Sequence, residues 1–150
     1  TSDGYLNPQS ASLDQDVFRA PSVFNFYPPD YQVPGTEVTG PEFKLLSTST
    51  ALRRANFVNA MVFTGIRTDA NAPNGTSLDL SALQAVAADP AQLVDALDKL
   101  LLHGTMSASM RSTLVQTVSA LPAATEADKL KRARTALYLV ATSSQYQVER

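Results

Sequence analysis

From residue 89 onward, apolar side chains return every three or four positions, the spacing that lines one face of a helix. Asp89 followed by Pro90 reads as an N-cap with proline at the first helical position, and Gly104 ends the segment. Between them Leu93, Val94, Leu97, Leu100 and Leu101 form one stripe, with Asp95 and Lys99 an i,i+4 pair on another face. Ser107 caps a second helix, lined by Met110, Leu114, Val115 and Val118 and stopped before Pro122. Thr125 with Asp128 forms a capping box in which Asp replaces Glu. The helix it opens turns Leu130, Ala133, Leu137, Val140 and Ala141 inward, while Lys129, Lys131, Arg132 and Arg134 surround the remainder. Upstream, Pro41 opens a helix whose apolar positions run from Phe43 to Val62 and which Gly65 closes. Their wide angular coverage predicts that this helix is central. Leu78–Ala87 fits a short helix.

The first forty residues follow no such period. Prolines stand at 8, 21, 28, 29, 34 and 41, and seven of the eleven aromatics lie at or before Phe43. Proline lacks the amide donor and pushes its predecessor toward extended backbone, so this arm is expected to be irregular, with at most a helical turn around Leu13–Phe18. Such a ribbon needs large anchors. Phe18, Phe24 and Phe26 are the expected ones, and alternation along Val23–Tyr27 points Phe24 and Phe26 inward together. The predicted class is all-α: a bundle of about four main helices with the Pro- and aromatic-rich arm packed across it. It reads as one domain over 1–150, with an arm at 1–40 and a helical core at 41–150.

Composition narrows the function classes. The 150 residues are 44% apolar and 17% charged, enough to offset the ordering entropy of one domain. With 12 basic against 14 acidic side chains there is no broad attraction for nucleic acid. No apolar run approaches the ~20 residues of a membrane span. The absence of cysteine excludes disulfides, thiol nucleophiles and the usual structural zinc sites. Charge is uneven: residues 1–50 hold six acids and two bases, residues 101–150 six bases and three acids. The chain begins at Thr1 without a charged or apolar leader, as expected of a mature chain, an excised domain or a fragment of a longer protein.

Candidate chemistry is sparse. His103, the one histidine, is the natural general base, but a position just before a helix-ending glycine equally suits contact with free carbonyls. Asp14 and Asp16 could form a carboxylate pair for glycoside hydrolysis, or be solvated loop residues. Asp69, Asn71 and Asn74 offer clustered oxygens for calcium, although Asn74 is one position late for an EF-hand and such residues are ordinary turn formers. No cofactor cradle appears among the six glycines. The basic run on the last helix reads as a solvated face. Tyr5, Tyr27 and Tyr31 are the aromatics best suited to stacking a polysaccharide while keeping a wet hydroxyl.

The segment Phe18-Arg-Ala-Pro-Ser-Val-Phe-Asn-Phe-Tyr-Pro-Pro-Asp-Tyr31 resembles the signature of a bacterial group, domain-of-unknown-function family 1800. Pro41-Glu-Phe43, Asn56-Phe57 and the ending Arg134–Val148 agree with it, and residues 66–125 match loosely. Members are usually several times longer, so the chain is similar to their C-terminal portion. The resemblance implies a mostly helical fold and export to the periplasm or medium, and it brings no catalytic residue. The expected role is therefore packing or interaction, with the upstream part of the same protein or another protein as partner. The alternative is a carbohydrate- or polymer-binding module. A hydrolase built from Ser, Asp and His103 is third.

Overall fold

The computed structural model describes residues 6–66 and 75–147. Among these described residues seven α-helices follow one another: α1 (Asn7–Ser12), α2 (Thr48–Phe63), α3 (Ser81–Val86), α4 (Pro90–Leu101), α5 (Ala108–Ser119), α6 (Glu126–Ala141) and α7 (Ser144–Gln147). Among the described residues, extended pairing is limited to isolated bridges, so the fold is mostly helical. Two compact units form, residues 6–60 with 66 and 75–76, and residues 61–65 with 77–147.

In the C-terminal unit the caps are the ones the sequence spells out. Asp89 Oδ1 accepts the amides of Ala91 at 2.8 Å and Gln92 at 3.3 Å. Ser107 Oγ accepts the Met110 amide at 3.3 Å. Thr125 Oγ1 accepts the Asp128 amide at 3.1 Å while Asp128 Oδ2 accepts the Thr125 amide at 3.0 Å, which completes the box. α6 packs against α3, α4, α5 and α7. Its inner face repeats as Arg132-Ala133, Ala136-Leu137 and Val140-Ala141, pairs four residues apart. The three alanines let neighbouring helices approach closely, and Leu93, Val94, Leu97, Leu114 and Val118 fill the space between them. Leu100, expected in the stripe, is exposed in the last turn of α4.

α6, rather than the helix after Pro41, is thus the central element of its unit. The segment expected to run unbroken from Pro41 to Gly65 is two elements, a 3-10 helix over Pro41–Leu45 and then α2. The break is a capping box without a carboxylate: Ser47 Oγ accepts the Thr50 amide at 3.1 Å, and Thr50 Oγ1 accepts the Ser47 amide at 2.9 Å. The buried Thr50 hydroxyl also donates to the Leu45 carbonyl, tying the two elements together. Along α2 only Thr50 and Val62 are buried.

In the N-terminal unit the short helix lies at Asn7–Ser12, before the expected turn at Leu13–Phe18, because Pro8 suits a first helical turn. Tyr31 and Val33 pair with Gly40 and Val38 around a turn, through Gly40 N to Tyr31 O and Val33 N to Val38 O, both 2.9 Å. Gly40 is required there, since a Cβ would stand 2.9 Å from the Phe43 ring and 3.2 Å from Val33.

Candidate functional site

A cleft that gathers several charged side chains lies in the N-terminal unit and is produced by chain reversals. After α1, Asp14 adopts φ 61°, a left-handed conformation that Asp tolerates. The Arg19 amide then bonds the Asp16 carbonyl at 3.0 Å, closing a turn with Phe18 at φ 62°, where glycine would be at ease. A third reversal bonds Asn25 N to Ser22 O at 3.1 Å, with Asn25 at φ 66° and Ser22 Oγ accepting the Phe24 amide at 3.1 Å.

These turns and the 3-10 helix enclose an open cleft of about 330 Å³, lined by Ala11, Asp14, Asp16, Arg19, Pro21, Phe26, Lys44 and Leu45. The two carboxylates are loosely held. Asp16 stands 3.6 Å from Arg19 and Asp14 3.6 Å from Arg53, beyond hydrogen-bond length in both cases. Arg53 instead commits Nη1 to the Ser12 carbonyl at 2.8 Å. Among the described residues Lys44 has no carboxylate partner. The cleft therefore offers two acceptors, two cationic donors and an apolar wall of Pro21, Phe26 and Leu45.

Two aromatics of the Phe18–Tyr31 stretch, Phe18 and Phe24, stand in the open with Val23. Phe18 is 101% exposed, Val23 95% and Phe24 57%. Phe26 is half-buried and faces the cleft. The expected burial of Phe18 and Phe24 within the chain is not found, for a backbone reason: the positive φ of Phe18 and Asn25 breaks the alternation that would have aimed Phe24 and Phe26 together.

The stretch from Phe18 to Tyr31 that builds these turns is also the one whose wording resembles a known family. A family model described as protein of unknown function (DUF1800) matches residues 3–148. The chain belongs to the DUF1800 family. Comparison with curated proteins and with solved structures found no match.

The other sequence candidates of this DUF1800 chain are scattered. Tyr27 and Tyr31 are half-buried and lie outside the cleft lining. Tyr5, Asp69, Asn71 and Asn74 lie outside the described residues. Among the described residues no group of three His, Cys, Asp or Glu is placed to hold a metal ion, and no helix is long and apolar enough to cross a membrane. His103 follows α4 at φ 54°, exposed, and joins no ion pair or hydrogen bond among the described residues. Gly104 N reaches back to the Asp98 carbonyl at 3.2 Å, so this stretch serves to end the helix.

The basic run contains the largest departure from expectation. Arg132 is buried, not solvated. Its Nη1 donates to the carbonyls of Ala87 and Ala88, each at 3.1 Å, and its Nη2 to that of Leu121. These carbonyls follow α3 and α5, where helix ends leave acceptors unfilled and the dipole is negative. Lys129 pairs with Glu126 at 2.7 Å. Asp95 pairs not with Lys99 but with Arg111, through a two-pronged contact at 2.7 and 3.0 Å that holds the Asp95 carboxyl below its ordinary range. A four-residue spacing could suggest the first partner only. The second required knowing that α4 and α5 are neighbours.

Proposed function

We propose that this chain serves interaction rather than catalysis, docking through its N-terminal unit onto another polypeptide, foremost the upstream part of the same exported bacterial protein. The observation behind this reading is the exposure of Phe18, Val23 and Phe24 within the family signature. Eight of the eleven exposed large apolar residues among those described belong to the N-terminal unit. Isolated exposed apolar residues are ordinary, but eight within residues 17–52 support the reading that another molecule covers them. The greater length of family members supplies a partner, and aromatic side chains are the usual anchors of such interfaces. The family resemblance is also the ground for export. Hydrolysis through His103 has no geometric support among the described residues, where that ring joins no ion pair or hydrogen bond.

The test mixes the 150-residue chain with the separately produced preceding region of a full-length family member and measures binding by calorimetry. Binding weakened at least tenfold by a Phe18→Ser, Phe24→Ser double substitution, with the helical circular-dichroism signal unchanged, supports the reading. Absence of binding, or binding indifferent to the substitution, overturns it.

A further inference from the structure

We propose that the cleft at Asp14, Asp16, Arg19, Phe26 and Lys44 is a saccharide-binding site, separate from the exposed apolar side chains. Its contents select the ligand. An anion such as a polyphosphate would meet two carboxylates, and a metal ion would meet Arg19 and Lys44. A wholly apolar molecule would strip water from four charged groups without replacing their hydrogen bonds, at high cost. A neutral polyhydroxylated ring satisfies all of them: its hydroxyls donate to Asp14 and Asp16, accept from Arg19 and Lys44, and its C–H face lies against Phe26 and Pro21.

The binding capacity is unspent. Both ion pairs are 3.6 Å long, so among the described residues the two carboxylates are ion-paired without a close hydrogen-bond donor, and Lys44 has no carboxylate partner. The lining combines an apolar wall with a few convergent polar groups, as small-molecule sites do. At about 330 Å³ the cleft is at the small end of the ~300–1,000 Å³ range of ligand pockets, which suits one or two sugar units rather than a long chain. Tyr27 and Tyr31 do not line it, so the site is independent of the stacking surface expected from the tyrosines.

The experiment screens the 150-residue chain on an array of mono- and oligosaccharides, with free amino acids as a parallel zwitterionic panel, and follows hits by calorimetry. A neutral mono- or disaccharide is expected to bind. Asp16→Asn and Lys44→Gln should each weaken it about tenfold, the loss of a charge-assisted hydrogen bond. Lys44→Gln should leave the thermal unfolding midpoint unchanged, since its side chain holds no structural partner, which separates lost binding from lost fold. A silent array, a hit indifferent to both substitutions, or saturation by amino acids instead of sugars overturns the proposal.

Discussion

The two units differ in where their apolar side chains go. Of the sixteen buried apolar residues among those described, all but Ile66 belong to the C-terminal unit, whereas most exposed large ones belong to the N-terminal unit. Hydrophobic content alone does not explain this, since the N-terminal segment is rich in Phe, Tyr, Val and Leu. Backbone geometry does. In α4, α5 and α6 a capped helix repeats its apolar positions on one side, so neighbouring helices cover them together. In the arm, prolines and three non-glycine residues at positive φ redirect the chain every few positions, and no face persists long enough to be buried. The first region spends its apolar surface on folding. The second leaves much of it exposed.

The contrast breaks most visibly at Leu97 and Arg132. Leu97 is wholly buried, and Leu97→Ala should cost ~3–5 kcal/mol by loss of transfer energy and creation of a cavity. Arg132→Ala should cost a similar ~3–5 kcal/mol, because the carbonyls of Ala87, Ala88 and Leu121 lose their donor where water reaches poorly. Arg132→Lys should recover only part of this, as an ammonium cannot reproduce the planar fork. Urea unfolding of the three variants checks it. A cost for Arg132→Ala below ~1 kcal/mol would mean that the buried guanidinium is dispensable.

What was legible in the sequence follows the same divide. Asp89-Pro90, Ser107 and Thr125/Asp128 announce their helices because a cap is a local matter, settled within four residues. The Ser47/Thr50 box is hidden in the sequence because threonine there stands in for the customary Glu or Gln. Arg132 reads as surface in sequence because it stands in a basic run with Lys131 and Arg134, and its partners lie 11, 44 and 45 residues away. For the cleft, Asp14 and Asp16 were visible as a pair. Arg19, Phe26 and Lys44 join them only through the reversals at Asp14, Phe18 and Asn25, at residues whose types do not demand a positive φ.

A middle-sized effect tests whether the caps sustain the ordered unit. Thr125→Ala removes the hydroxyl that accepts the Asp128 amide and should cost ~1 kcal/mol in thermal or urea unfolding. The same unit should be sensitive to acid. Asp128 is held below its ordinary pKa first by the Thr125 hydrogen bonds, Asp95 by the Arg111 contact, and Glu126 by Lys129 and then Gln84. A depressed folded-state pKa contributes stability that is present above the unfolded value and lost as pH falls through the folded one. The unfolding midpoint should therefore be flat from about pH 8 to 5 and fall below about pH 4, where unperturbed carboxyls titrate. A decline already evident between pH 8 and 6 would contradict this assignment.

The smallest effects belong to the arm, and their smallness is the point. Phe24→Ala should change stability by less than ~1 kcal/mol, because the ring is already more than half exposed. Phe18→Gly should be neutral or stabilising by roughly 0.5 kcal/mol: relief of the left-handed strain at φ 62° outweighs, slightly, the extra freedom glycine gives the unfolded chain. Both are read from urea unfolding of the chain alone. With the preceding region of a full-length family member bound, Phe24→Ala should instead become clearly destabilising to the complex, since a ring that stabilises nothing in the free chain is then covered. A loss of ~3 kcal/mol or more in the free chain would show that Phe24 is an internal anchor after all, and the distinction between a folding unit and a binding unit would collapse.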